Sequence, residues 1–117
     1  MPSDGLAEGT LKTIDELQAR GFEITEIDNK FLVDNASYKA IHLQAKTPEG
    51  TLLEVQMHTN EDLMIKAEAH KIYELQRKLK PGVAEWQAYQ DQMVALYNKL
   101  PDPKDIRKVR TFKGGKR

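Results

Sequence analysis

Two short segments, Tyr38–Lys46 and Thr51–His58, alternate in polarity and are separated by Thr47-Pro48-Glu49-Gly50. Proline suits the second position of a type I turn, and glycine the left-handed position that follows. This combination predicts a hairpin with a three-residue loop and a bulge at Gly50. Thr47 then pairs with Thr51, which sets the register: Gln44 faces Glu54, His42 faces Gln56 and Ala40 faces His58. Residues opposite one another share a sheet face. One face therefore takes Ile41, Leu43, Ala45, Leu53, Val55 and Met57, a core face. The other collects Tyr38, His42, Gln44, Glu54, Gln56 and His58. Solvated strands favour Lys, Glu and Thr. A solvent-facing antiparallel strand is also polar, but two imidazoles, two amides and an aromatic around one carboxylate form a less ordinary mixture, rich in groups that do chemistry. A His/Glu metal site from His42, Glu54 and His58 is geometrically conceivable.

The flanking segments read as helices. Thr10 is placed to cap a helix over Leu11–Arg20 that Gly21 stops, and Phe22–Ile27 reads as a short strand. After the hairpin, Thr59 or Asn60 caps a helix whose Glu61 and Asp62 suit the positive end of its dipole. Met64, Ala67, Ile72, Leu75 and Leu79 are its packing positions. Lys66, His70, Tyr73 and Arg77 fall on a single face. Pro81-Gly82 ends that helix. A last helix over about Val83–Leu100 carries the stripe Trp86, Tyr89, Met93, Leu96 and Tyr97. The predicted fold is α+β: one small, mainly antiparallel sheet flanked by helices, with 1–100 as the domain.

Composition narrows the chemistry. The 117 residues contain no cysteine, which excludes disulfides and thiolate sites. No apolar run approaches the ~18 residues of a membrane span. No signal peptide is visible in Met1–Gly9, so a cytoplasmic setting is expected. The chain is formally neutral, yet 101–117 holds seven basic and two acidic residues. That segment is either a nucleic-acid or partner-binding arm or, in the plainer reading, a solvated, mobile end, although Ile106, Val109 and Phe112 are spaced to dock a short helix.

Tyr38-Lys39-Ala40-Ile41-His42 resembles the G-Y-x-[SAG]-[IL]-H strand of RelA/SpoT-like (p)ppGpp synthetase domains. Glu54-Val55-Gln56-Met57-His58-Thr59 is similar to their E-[VI]-Q-x-x-T strand, in the same order. Lys66–Arg77 looks like the helix of toxin-type and phage-associated members. The resemblance covers about residues 10–78. It implies a nucleotidyltransferase-like fragment, the acceptor-site half of an enzyme that moves the β,γ-pyrophosphate of ATP to a 3′-hydroxyl. GDP or GTP is the usual acceptor; some toxin-type members use adenine nucleotides or tRNA. By the same resemblance Tyr38 stacks on the acceptor base, and Glu54 holds Mg²⁺ and activates the hydroxyl. His42 and Gln56 match residues that line the acceptor site; Gln44 and His58, on the same face, are further nucleotide-binding candidates, and Lys66, His70 and Arg77 are phosphate-contact candidates. An antitoxin or a completing protein segment is an implied partner.

The departures from the family pattern are equally specific. Ser37 stands where the family has glycine. Only Lys12 and Arg20 supply positive charge before the first predicted strand, so no match to the ATP-gripping half is found. The expectation is a nucleotide-binding domain that is incomplete as a transferase by itself. The alternative is a non-catalytic binding or assembly module, such as a phage structural protein or toxin remnant, that retains the fold.

Overall fold

The computed structural model describes residues 3–114. It shows an α+β fold. Helix α1 (Leu6–Ala19), strand β1 (Glu23–Asn29), the hairpin β2 (Ile41–Lys46) and β3 (Leu52–Met57), helices α2 (Asn60–Gln76) and α3 (Ala84–Asn98), and a short β4 (Phe112–Lys113) follow in order. The sheet runs β3-β2-β1-β4 with every pairing antiparallel. Among the described residues no helix is long and apolar enough to cross a membrane.

The hairpin forms in the predicted register, with Gln44 opposite Glu54 and His42 opposite Gln56. Thr47 N–H donates to the Thr51 carbonyl at 2.8 Å and Gly50 N–H to the Thr47 carbonyl at 2.9 Å. Gly50 adopts φ +95°, the left-handed conformation that glycine takes without a Cβ penalty. The ladder starts at Ile41, however. Tyr38 lies three residues before β2, and the Ala40 carbonyl accepts a bond from Lys30 N–H instead of pairing opposite His58.

The main core joins α1 to the apolar sheet face. Leu6, Ala7 and Ile14 pack with Ile24, Ile27, Ile41, Leu43 and Ala45. Because Leu6 and Ala7 belong to this core, α1 begins before Thr10. Thr10 is a fully buried helix-interior residue, not the expected cap. β3 is an edge strand, so its apolar side is only partly covered. Val55 and Met57 pack on the core, whereas Leu53 stays 40% exposed.

A second, smaller cluster forms where α2 meets α3. Ala69, Met93 and Tyr97 are buried there, with Tyr38, Ile65, Ile72 and Leu96 packed around them. Met64 and Leu75, expected to pack, remain exposed, because α2 turns only one narrow side toward α3. The N-terminus of α2 carries a full capping box: Thr59 accepts from Asp62 N–H, and Asp62 accepts from Thr59 N–H.

The C-terminal segment departs from a free tail. Ile106 and Val109 are buried in the main core. Asn29, itself fully buried, donates from Nδ2 to the carbonyls of Ile106 (3.1 Å) and Val109 (2.8 Å). Phe112 then pairs with Ile27 in the sheet. The buried apolar spacing outweighs the charge of the segment. Lys116 and Arg117 of the basic run lie outside the described residues.

Candidate functional site

Directly opposed residues on three strands form two polar rows across the sheet. Asp28, His42 and Gln56 make one row, and Glu26, Gln44 and Glu54 the other. The β1 register shifts at Thr25. That bulge turns both Glu26 and Asp28 to the polar face while Ile24 and Ile27 stay buried. The Thr25 hydroxyl lies 3.1 Å from both the carbonyl and Oε1 of Gln44. Glu26, Asp28, His42, Gln44 and Glu54 line a shallow cleft of about 240 Å³. Asp28 is paired with Lys30 at 3.1 Å. The Glu54 side chain is 61% exposed, with His42 Nδ1 at 3.6 Å, too long for a firm hydrogen bond.

Burial, reinforced by the charge of Lys30, lowers the His42 pKa from 6.5 against the opposing pull of Glu54 and Asp28. That favours the neutral ring beside Glu54 at neutral pH. Its Nε2 is buried without a partner.

Beyond His42 the site becomes aromatic. Tyr38 meets three rings edge-on: His42 at 5.7 Å, Tyr97 at 5.9 Å and His58 at 6.1 Å between centroids. Lys66 Nζ sits 5.6 Å from the Tyr38 ring centre, within cation–π range. Tyr38 borders a mainly apolar, partly open cavity of about 340 Å³, lined by Lys66, His70 and Tyr73 from α2 and by Gln90, Met93 and Tyr97 from α3. Gln76 donates to Gln90 Oε1 at 2.9 Å on the same lining. The Tyr97 hydroxyl is buried without a partner, and burial, with Tyr38 and Asp62 nearby, raises its pKa.

The predicted residues thus divide between two adjoining chambers. Gln44 and Glu54 lie in the acidic cleft; Tyr38, Lys66 and His70 border the aromatic cavity. His42 touches both sides. Gln56 and His58 meet the Tyr38 hydroxyl at 3.4 Å each. Arg77 is not brought in: its Nε bonds Glu74 at 2.8 Å, and it does not line the cavity. The sequence reading missed Glu26 and Asp28, concealed by the bulge. It also missed Asp62 and Tyr97 as site neighbours. The i,i+2 spacing of Glu26 and Asp28 was the available signal.

Mg²⁺ is commonly held by one or two carboxylates, with water and substrate phosphates completing the shell. The exposed Glu54 carboxylate fits that donor role. Among the described residues no group of three or more His, Asp or Glu is arranged to hold a metal ion. The His42–Glu54–His58 metal site is therefore not formed, and His58 instead turns to Asp62.

No protein-family model matches the sequence, and no curated protein matches it. The chain is similar in structure to a chain in the crystal structure of the complex between the Type VI effector Tas1 and its immunity protein. The TM-score is 0.56 at 22% identity, over 92% of this chain and 63% of that one. At this identity the likeness is one of fold, and this chain spans less than two thirds of the other's length.

Proposed function

We propose that the chain binds a nucleotide across the two chambers, as the acceptor half of a RelA/SpoT-like pyrophosphotransferase. The base lies against Tyr38 in the aromatic cavity, and the ribose reaches past His42 to Glu54. The observation that carries this reading is the position of His42, edge-on to the Tyr38 ring and 3.6 Å from the Glu54 carboxylate. Aromatic stacking binds a base with little demand on its identity, and Lys66 beside the ring supplies charge for a phosphate. Arg77, committed to Glu74, is left out of the phosphate set.

In the transfer reaction Glu54 would take the proton of the acceptor 3′-hydroxyl as that oxygen attacks the β-phosphorus of ATP, with AMP leaving. Bound Mg²⁺ would supply charge neutralisation on the phosphates, with Glu54 as its protein donor. Transfer is proposed for a protein or assembly in which an ATP site accompanies these residues. The shared fold with a chain of a Type VI effector–immunity complex supports a toxin or effector setting with an immunity-type partner. GDP or GTP is the proposed acceptor, with adenine nucleotides and tRNA as the competing classes.

Calorimetric titration with GDP, GTP, AMP, ATP and tRNA, with and without Mg²⁺, tests the binding claim. Saturable binding of one nucleotide class is expected. No binding of any of them would reject it. Incubation with ATP, Mg²⁺ and GDP or GTP should give no (p)ppGpp from this chain alone.

A further inference from the structure

Asp62 is a fully buried carboxylate, and its two oxygens have different tasks. Oδ2 accepts the Thr59 N–H at 2.8 Å, which completes the capping box. Oδ1 lies 2.7 Å from His58 Nδ1. The box alone needs one oxygen and no charge. The second, shorter contact therefore asks for another explanation.

A carboxylate only accepts hydrogen bonds, so the short contact places a proton on His58 Nδ1. In the neutral ring this leaves Nε2 as an acceptor. Nε2 lies 3.4 Å from the Tyr38 hydroxyl and 3.2 Å from Gln56 Oε1. The Tyr38 O–H is the natural donor to it. Nε2 has one lone pair; the Tyr38 O–H, which also reaches Gln56 Oε1 at 3.4 Å, is free for it once the Gln56 amide, whose oxygen and nitrogen are interchangeable by a flip, turns its NH₂ toward the Tyr38 oxygen. The same logic sets the histidine tautomer in acid–base triads, where a buried carboxylate orients the ring and the far nitrogen meets a hydroxyl.

We infer that Asp62 is a positioning residue that fixes the His58 tautomer and, through His58 Nε2, the hydroxyl and ring orientation of Tyr38. The inference deepens the nucleotide-site reading and rests on it only for its consequence for binding. The buried charge at the start of α2 thereby reaches the ring that borders the aromatic cavity. Tyr38 is held at its hydroxyl end by Gln56 and His58 and along its edges by His42 and Tyr97. A platform fixed in this way loses little freedom when a ligand stacks on it.

Asp62→Asn isolates the charge, since the amide oxygen can still accept the Thr59 N–H. Thr59→Ala is the control: it weakens the cap and leaves the Asp62–His58 contact. Long-range ¹H–¹⁵N correlations of the imidazole rings, recorded on the full chain at mildly alkaline pH, show which nitrogen holds the proton. The expected result is a proton on Nδ1 of His58 in the parent and in Thr59→Ala, and loss of that preference in Asp62→Asn. The GDP Kd should rise roughly tenfold in Asp62→Asn, the loss of one charge-assisted hydrogen bond, and stay within about twofold in Thr59→Ala. A proton on Nε2 in the parent, alone or beside one on Nδ1, overturns the inference. An unchanged tautomer in folded Asp62→Asn does the same. The parent spectrum decides the matter even if Asp62→Asn does not fold. If GDP fails to bind the parent, the nucleotide reading fails, while the tautomer result still judges the Asp62–His58 pair by itself.

Discussion

The rings of Tyr38 and His42 meet edge-on with centroids 5.7 Å apart, at an interplanar angle of 78°. This contact joins the aromatic cavity between α2 and α3 to the acidic cleft on the sheet. A ligand with a flat apolar end and a polar end could span the two.

Tyr38, the proposed base platform, is also a packing residue, because it lies against the Ala69–Met93–Tyr97 cluster. Truncation to Ala would therefore mix lost binding with lost stability, contrary to the expectation of a purely polar-face residue. Tyr38→Leu keeps apolar bulk and removes the stack. Nucleotide affinity should fall by about 1–3 kcal/mol in Tyr38→Leu and much less in Tyr38→Phe. Titration calorimetry on both variants, with melting curves as control, makes the comparison. Equal affinities for Leu and Tyr would remove the stacking role.

Glu54 is largely exposed, so Glu54→Gln should change stability by no more than about 0.5 kcal/mol. Its effect should appear only in the Mg²⁺-dependent part of nucleotide binding. Titrations of parent and variant with and without Mg²⁺ separate the two. An equal Mg²⁺ increment in both proteins would show that Glu54 is not the metal donor.

His42 gives a pH signature. Its folded pKa lies below the unfolded value of 6.5, chiefly through burial. Between those two values the unfolded chain binds more protons, so stability rises with pH across that window. The stability is fully present above about 6.5 and is lost as pH falls toward the folded value. His42→Gln should flatten this dependence relative to the parent in urea unfolding above and below pH 6.5. A parallel pH dependence in both proteins would contradict it.

The hairpin was legible in the sequence because one local device, Gly50 in a left-handed turn, sets the register of every residue beyond it. His42, Gln44, Glu54 and Gln56 were thereby placed correctly on one face. Asp28 and Glu26 were not legible: the bulge at Thr25 breaks the alternation that would have revealed them. Asp62 read as a dipole partner because a buried contact to His58 leaves no mark in spacing. The segment after Leu100 read as solvated because its charges are conspicuous, while burial of Ile106 and Val109 depends on Asn29, more than seventy residues earlier.

That last relationship predicts a cost. Asn29→Leu would strand the Ile106 and Val109 carbonyls and should destabilise by at least about 2 kcal/mol. Ile106→Ala should cost about 2–5 kcal/mol by leaving a cavity in the main core. Chemical denaturation of both variants measures this. Stabilities within error of the parent would return the segment to a free tail.

If one nucleotide occupies both chambers, as proposed, its binding perturbs both at once, and backbone and side-chain NMR during a nucleotide titration reads this. Titrating GDP into the labelled chain should shift resonances of Tyr38, Lys66 and Tyr97 on the aromatic side together with His42 and Glu54 on the sheet, all with one saturation curve. Shifts confined to one chamber, spread over the far face of α1, or absent at saturating nucleotide would contradict the account.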